Sequence, residues 1–257
     1  MDSLRLFKSL VLALLVSQAA TQTNFTVSNG QIFTPGFAIV DAPQPGTPLG
    51  GDTIEVALDV SADGKLPLPP IAPDSPSIIH NITIFLYSYD TNRNFTISNG
   101  TATANNASLG DIMAQEPGST VKHVKWTWPD CLVGDGQPST ANSDRGVYNI
   151  SIRQNFRLNG DEHYTIFDLP ISVTNSIPSS LDRPPCDSLD NPLLTPEQIN
   201  ATAADSVGVL FAPGDSTQIQ VTPQGKEGQG LGGAGTLDWR GGAHWLCLVS
   251  IAVAVLL

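Results

Sequence analysis

Basic side chains are scarce in this chain, and their scarcity limits its partners. The 257 residues include 12 lysines and arginines against 24 aspartates and glutamates, for a net charge of −12 at pH 7. A surface with this balance repels the phosphates of nucleic acids and of anionic lipids. We therefore expect no nucleic-acid partner and no basic patch that docks the protein on anionic lipid.

The short motifs of common enzyme classes are absent as well. The chain contains no G-x-S-x-G elbow, no H-E-x-x-H pair and no C-x-x-C pair, which removes the usual signals of serine hydrolases, zinc proteases and redox sites. His80, His123 and His163 fall on separate strands or turns without the spacing of metal ligands. We predict no catalytic residue, no metal and no cofactor.

A glycoside hydrolase is the enzymatic alternative, because its catalytic residues have no fixed spacing along the chain. Glycoside hydrolases use two carboxyl groups that are defined by their separation in space and not along the chain. An acid pair of this kind would come from loop and turn positions, with Glu116, Asp144, Asp161 and Glu162 as the candidates.

Cysteine is almost missing, with three residues in the whole chain. Cys247 lies in the apolar C-terminal tail, which leaves Cys131 and Cys186. An even pair in an oxidising compartment predicts a disulfide between them. Such a crosslink would stabilise the fold by roughly 4 kcal/mol in the chain-entropy model. The alternatives are two free thiols or an intermolecular bridge.

No apolar run reaches the ~20 residues that a membrane-spanning helix needs, yet both ends are apolar. At the N-terminus, Arg5 and Lys8 precede the apolar residues 10–16, and the small residues Ser17 and Ala19 follow. A positive start, a short apolar core and a small-residue cleavage site are the parts of a signal peptide. Residues 1–19 therefore predict secretion, with cleavage after Ala19.

The C-terminal end has the layout of a glycosylphosphatidylinositol (GPI) signal. Residues 245–257 are uncharged, a polar spacer covers residues 236–243, and small residues occupy 232–235. Small attachment residues, a spacer and a terminal apolar tail are the three parts of that signal. We predict a GPI lipid on Gly233, or on Gly232, and removal of residues 234–257. The alternative is a short tail anchor or a docked apolar terminus.

Asparagine acceptor sites for N-glycans are frequent. Seven N-x-Ser/Thr sequons lack proline at the middle position, and such sites belong on the surface of secreted proteins. We predict a glycosylated ectodomain on the extracellular face of the plasma membrane, in the cell wall, or in both. The acceptors are Asn24, Asn81, Asn94, Asn99, Asn106, Asn149 and Asn200.

Strand patterns dominate the chain up to about residue 175. Apolar residues alternate with polar ones, as in half-buried strands, and Asn159-Gly160 predicts a tight hairpin turn. The strong strands are predicted at 52–61, 78–88, 121–128, 147–157 and 165–173, and weaker ones at 25–27, 32–33, 38–40 and 95–97. In the 147–157 strand, Gly146-Val147-Tyr148 is similar to the start of a tyrosine corner.

Short strands separated by turns predict an all-β, antiparallel β-sandwich. An immunoglobulin-like or fibronectin-like topology is the first choice and a jelly roll the second. The sandwich should occupy residues 20–186. An irregular C-terminal stalk should follow at 187–233, with a short helix from a capping box at Thr195 to about residue 204.

Trp126 and Trp128 fall on one face of a predicted strand. Paired aromatic rings on a sandwich can form a platform on which sugars stack, or they can be core residues. Exposure of the two rings decides between these interpretations.

This layout of signal peptide, sandwich, scattered sequons, short glycine-rich stalk and lipidation tail resembles GPI-anchored surface glycoproteins of filamentous fungi. The resemblance implies a plasma-membrane or cell-wall location and carries over no functional residue. The leading hypothesis is a surface protein with a structural, adhesive or cell-wall/carbohydrate-binding role. The alternatives are the hydrolase and a protein–protein module that docks a cell-surface protein through a sheet edge or an unglycosylated face.

Overall fold

The computed structural model describes residues 25–105, 107–140, 142–202 and 207–222. The predicted signal peptide (1–19), the attachment residues Gly232 and Gly233 and the removed tail (234–257) lie outside these ranges. So do two of the predicted glycosylation sites, Asn24 and Asn106.

Within these ranges the chain forms ten strands and one short helix. The helix, α1, covers Pro196–Thr202, and 3₁₀ turns cover Ile112–Ala114, Asp130–Leu132 and Cys186–Ser188. The strands are β1 (Thr26–Ser28), β2 (Gln31–Phe33), β3 (Ile39–Ala42), β4 (Pro48–Leu49), β5 (Thr53–Asp59), β6 (Ile78–Ser88), β7 (Arg93–Ser98), β8 (Val121–Thr127), β9 (Gly146–Leu158) and β10 (Asp161–Val173).

The strands form two five-stranded sheets that pack as a sandwich. Sheet A has the order β1-β2-β3-β5-β8, and sheet B has the order β4-β10-β9-β6-β7. All pairs are antiparallel except β4 with β10. The orders β3-β5-β8 and β10-β9-β6-β7 correspond to A-B-E and G-F-C-C′ of immunoglobulin-like sandwiches. The predicted fold class is confirmed.

The core forms where the alternating apolar residues of both sheets meet. Each strongly periodic strand turns its alternating apolar residues inward. Each buried aliphatic or aromatic side chain contributes roughly 1.5–3 kcal/mol to the stability of the fold. The buried set includes Ile54, Val56, Leu58, Ile82, Ile84, Leu86, Ile150, Ile152, Phe156, Phe167, Leu169, Ile171 and Val173. On β6 the pattern survives a bulge between Ile79 and Asn81.

The β9–β10 connection is the predicted two-residue hairpin. Leu158 pairs with Asp161 across it, and Asn159 and Gly160 have φ angles of 54° and 100°. Positive φ at both central residues is the type I′ geometry that matches the twist of the flanking strands, and asparagine followed by glycine adopts it most readily.

The start of β9 is a tyrosine corner. Tyr148 is fully buried, and its hydroxyl donates to the backbone carbonyl of Asp144 four residues upstream at 2.5 Å. This is the geometry by which sandwich proteins hold the corner before strand F, and β9 occupies that position in the sheet order.

One polar side chain lies inside the sandwich on the inward face of β9. Gln154 is fully buried. Its Oε1 accepts from the Ala38 N–H at 2.8 Å, and its Nε2 donates to Thr34 Oγ1 at 3.0 Å. Because both ends of the amide are paired, its burial is tolerated, and the pair ties β9 to the connection between β2 and β3.

The predicted stalk begins too early. Leu189, Leu210 and Phe211 belong to the buried core, so the chain stays on the sandwich well past residue 186. Residues 207–222, which we call the strap, have no regular secondary structure. Phe211 stacks on Phe37 with ring centres 5.4 Å apart, because its aromatic surface is worth more buried than exposed.

Candidate functional site

The outer edge of β8 in sheet A borders a groove of about 550 Å³. Three chain segments line it: residues 105 and 107–109, residues 125–127 of β8, and residues between 182 and 188. This volume falls within the range of ligand sites in proteins. We call residues 182–190, which form one side of the groove and continue beyond it, the wall segment.

The first half of β8's outer edge is capped by side chains. Ser119 Oγ donates to the Val121 carbonyl at 2.7 Å and accepts the Val121 N–H at 3.2 Å. The His123 N–H donates to Glu116 Oε2 at 2.7 Å, and this bond lowers the pKa of the Glu116 carboxyl. Edge strands are commonly blunted in this way against pairing with another chain.

Lys122 positions the cap that Glu116 supplies. Its side chain is fully buried, and its Nζ donates to the carbonyls of Gln115 at 2.6 Å and Glu116 at 3.0 Å. Burial lowers the pKa of this ammonium group. A buried cation needs such partners, so the loop that carries Glu116 is held against β8.

The second half of the same edge is open. Backbone groups of an antiparallel strand point alternately toward its partner and away. The Trp128 N–H donates to Asp52 in the β5 direction, whereas the His123 N–H points outward. Lys125 and Thr127 follow His123 by two and four positions, so their backbone groups also point outward. No described residue bonds these outward groups. This stretch is the part of β8 that lines the groove.

A disulfide fixes the wall segment to the end of β8. Cys131 and Cys186 are joined across 55 residues of sequence, as predicted. Beside the bond, the Asp130 N–H donates to the Pro184 carbonyl at 3.0 Å, and the Cys186 N–H donates to Asp130 Oδ1 at 3.0 Å. The crosslink clamps the outgoing chain and at the same time builds one side of the groove.

Arg183 provides the second attachment of the wall segment. The side chain is buried, and its guanidinium donates to the carbonyls of Pro178 at 2.7 Å, Trp128 at 3.1 Å and Asp52 at 3.2 Å. It also pairs with the Asp52 carboxylate at 3.2 Å. The fork of donors in arginine suits a site where several fixed oxygens converge.

Arg93 of β7 holds the far end of the wall segment. Its guanidinium bonds the carboxylates of Asp144 at 2.7 Å and Asp190 at 2.8 Å, and these bonds hold its pKa above the usual value. The Thr96 N–H donates to the Leu189 carbonyl at 2.9 Å and the Asn191 N–H to the Asn94 carbonyl at 2.9 Å. Residues 189–191 therefore cover the outer edge of β7.

The predicted glycan at Asn94 conflicts with this cover. Asn94 is 5% exposed, and its Nδ2 donates to the Pro192 carbonyl at 3.0 Å. A sugar on that nitrogen would displace the chain around Pro192, because glycans are bulky surface groups. The sequence did not indicate the buried position, since the covering segment has no strand pattern.

The other described sequons lie at the surface. Asn99 and Asn200 are exposed, and Asn81 and Asn149 are partly exposed on the outer face of sheet B. Their glycosylation stays a prediction.

The sugar-platform interpretation of Trp126 and Trp128 is wrong. The two rings are 1% and 0% exposed and pack edge to face at 6.0 Å, so they are core residues and cannot stack on a sugar. Trp128 Nε1 donates to the Gly50 carbonyl at 3.2 Å. Trp126 Nε1 is buried without a partner among the described residues, and Trp126 lines the groove.

The histidines and the candidate acids are distributed over separate places. His80 and Arg157 both contact Glu162, at 2.8 and 2.7 Å, and His123 contacts Glu116 at 3.2 Å. His163 packs on Phe156 at 5.3 Å. Three of the four carboxylates named for a hydrolase, Glu116, Asp144 and Glu162, contact arginine or histidine side chains. The fourth, Asp161, begins β10. None of the four lines the groove.

A half-buried acid that the sequence analysis missed, Asp168, lies on the outer face of sheet B. The Tyr87 hydroxyl donates to Asp168 Oδ2 at 3.0 Å, and burial raises the pKa of both groups. Ser151 lies directly opposite Asp168 on β9. The available signal was one acidic residue at an outward position of an otherwise uncharged stretch of β10.

Comparison with known proteins finds no relatives: no family model, no curated protein and no solved structure matches the chain. Among the described residues, no helix is long and apolar enough to cross a membrane.

Proposed function

We propose that this protein is a non-catalytic recognition protein of the cell surface that binds an extended peptide segment of a partner along Lys125–Thr127. The observation that carries the proposal is a difference between the two halves of the outer edge of β8. Side chains cap Val121 and His123, whereas no residue in the described part of the chain bonds the outward groups of Lys125 and Thr127 beside the groove. A peptide that adds to a sheet edge gains main-chain hydrogen bonds there.

A peptide fits this groove better than a polysaccharide. Among the residues that the structure describes, Trp126 is the one aromatic residue that lines it, and its ring is buried. Sugar sites use exposed aromatic faces. Peptide addition uses the backbone donors and acceptors that an open strand edge provides. Ala107, Leu109 and Pro184 supply an apolar lining for alternate side chains of the added strand.

The setting of this site follows from the two ends of the chain. The N-terminal signal and the sequons support a secreted glycoprotein, and the C-terminal signal supports a GPI anchor at Gly233 or Gly232. The sequons at Asn99 and Asn106 flank the chain that enters the 107–109 side of the groove. Glycans there would admit a slender extended segment more readily than a globular surface.

The peptide proposal is tested with a phage-displayed random-peptide library and the ectodomain that ends at Gly233. Thr127→Pro removes an outward N–H without breaking the β5–β8 ladder, because proline is tolerated at such edge positions. Val27→Pro is the matched control. The two-residue turn at Asn29-Gly30 makes Ser28 and Gln31 the bonded pair, so the Val27 N–H also points outward, on the opposite edge of sheet A.

We expect the wild type and Val27→Pro to enrich the same peptides and Thr127→Pro to lose them by about tenfold or more, since the main-chain bonds carry the affinity. Failure to enrich any peptide, or equal enrichment by Thr127→Pro, would reject the proposal. An array of glucan, chitin and mannan serves as the parallel test, and sugar binding that survives Thr127→Pro would also count against it.

The location is tested on intact cells. Phosphatidylinositol-specific phospholipase C should release the protein, and the purified chain should end at Gly233 or Gly232. A native chain that still ends at Leu257 would contradict the lipid anchor.

A further inference from the structure

A second cavity of about 320 Å³ has a mainly apolar lining. Pro69 and Ile71 come from the loop before β6, Ile78 from the start of β6, and Met113 from the 3₁₀ turn that precedes β8. Of the described lining residues, Asp111 is the one that carries a charge, and its Oδ1 accepts the Met113 N–H at 2.9 Å. We call this cavity the apolar pocket.

Two of the large hydrophobic side chains exposed in the described ranges belong to the same part of the surface. Leu68, which is 45% exposed, directly precedes Pro69 of the pocket. Val221 is 36% exposed, and it precedes Thr222, whose N–H donates to Ser75 Oγ at 3.3 Å in the loop that carries Ile71. Exposed apolar surface next to an apolar pocket marks an interaction site.

The strap brings the chain to this surface just before the predicted lipid attachment. The Asn159 side chain bonds the backbone of Gln218 at 2.8 Å and of Gln220 at 2.7 Å, and Thr222 follows at Ser75. From there to Gly233 the chain has eleven more residues. Eleven residues reach about 36–40 Å at most.

We infer that the apolar pocket binds an acyl chain of a membrane lipid, in an inference that rests on the proposed lipid anchor for its source of ligand. A lipid on Gly233 would hold Thr222, which bonds the loop of this surface, within that reach of the bilayer. A lining of proline, isoleucine and methionine binds hydrocarbon. Each methylene buried there contributes roughly 0.8 kcal/mol to the free energy of binding. Asp111 and the acidic balance of the chain disfavour an anionic headgroup, so the lipid is zwitterionic.

The pocket is tested on the secreted ectodomain that ends at Gly233, which retains the whole compact unit up to Thr222. The probe is laurdan, a neutral dye with a saturated acyl chain, and the competitor is lysophosphatidylcholine below its micelle concentration. Ala114→Trp fills the pocket from an exposed position, and Ile71→Asp places a charge in its lining. Leu181→Asp is the control, because Leu181 is fully exposed and lines no part of the pocket.

We expect saturable laurdan binding that lysophosphatidylcholine displaces, an affinity about tenfold or more lower in Ala114→Trp and Ile71→Asp, and no change in Leu181→Asp. Circular dichroism verifies that each variant is folded. Absence of saturable binding to folded protein, or binding that neither pocket variant weakens, would overturn the inference. A dimer that Ile71→Asp dissociates, without lipid binding, would instead assign the pocket to a second copy of the chain.

This experiment separates the pocket from the anchor, because the secreted chain carries no lipid. Lipid binding by a protein that phospholipase C fails to release from cells would keep the pocket and reject the proposed anchoring. Release by the enzyme without lipid binding would do the reverse.

Discussion

The wall segment (182–190) and the strap (207–222) both lack the periodicity of strands, yet they are held to the sandwich by different forces. The wall segment is attached by a disulfide, a buried arginine and the two carboxylates around Arg93. The strap depends on two buried side chains, Leu210 and Phe211, and on a few hydrogen bonds of its backbone. The contrast shows that an aperiodic segment joins a fold through single strong contacts, which can be removed one at a time.

Removing the disulfide tests the strongest attachment of the wall segment. The double variant Cys131→Ser, Cys186→Ser should lower the free energy of unfolding by roughly 4 kcal/mol, because the bond closes a loop of 55 residues. Denaturant unfolding measures the loss. The groove should lose peptide binding with it, since Cys186 fixes one side. A loss below about 1 kcal/mol would show that the arginine contacts alone hold the wall segment.

Removing Phe211 tests the main attachment of the strap. Phe211→Ala should cost about 3 kcal/mol, because a buried ring leaves a cavity against Phe37. Hydrogen exchange should speed up at the amides of Leu210 and Gln220, which bond Thr34 and Asn159. Val221→Ala is the control, because that side chain is partly exposed. Unchanged exchange in Phe211→Ala would mean that the backbone bonds suffice.

Removing Arg183 tests the polar attachment of the wall segment. Arg183→Met keeps the aliphatic stem and leaves the carbonyls of Pro178, Trp128 and Asp52 without their donors. We expect a loss of about 2 kcal/mol, measured by urea unfolding. Arg183→Lys should recover only part of it, because the donors of lysine radiate from one nitrogen, whereas the guanidinium of Arg183 reaches its separate carbonyl oxygens through a planar fork of nitrogens. Full recovery by lysine would contradict the role given to the guanidinium fork.

The smallest expected effect concerns the cation over the strap ring. Lys65 Nζ lies 4.9 Å from the centre of the Phe211 ring, and Lys65→Met should cost about 0.5–1 kcal/mol. The same substitution at Lys125, which pairs with Glu55 at the surface, is the control and should cost less. In a Phe211→Ala background the effect of Lys65→Met should disappear, and a double-mutant cycle measures this coupling.

The periodic parts of the molecule were predictable, and each for a local reason. Strands such as β5 and β6 place apolar residues at every second position, and that alternation follows from strand geometry alone. Asn159-Gly160 forms the predicted turn because few other pairs accept positive φ twice. The capping box at Thr195 also forms: its N–H donates to Gln198 Oε1 at 2.8 Å, and α1 follows. Only Cys131 and Cys186 lie outside the predicted C-terminal tail, so a single intramolecular disulfide could be predicted.

The candidate site was less predictable, because it depends on which surfaces the fold covers. Trp126 and Asn94 have ordinary strand contexts. The sequence left Trp126 open between a core and a sugar-platform role, and it placed Asn94 on the surface as a glycosylation site. Residues 189–191 bury Asn94, and the second sheet buries Trp126, with Phe95 at 6.5 Å. The groove itself lies between segments that are distant in sequence, so no single motif encodes it.

The strands, their inward faces, the hairpin and the tyrosine corner could be predicted from the amino-acid order alone, because they depend on residue type and on neighbours a few positions away. The tertiary structure decided that the chain after Cys186 stays on the sandwich, that both tryptophans are core, and that only half of the β8 edge is capped. Those outcomes depend on contacts such as Phe211 with Phe37 and Glu116 with His123. Burial is a property of the assembled surfaces, and a local pattern of residues does not contain it.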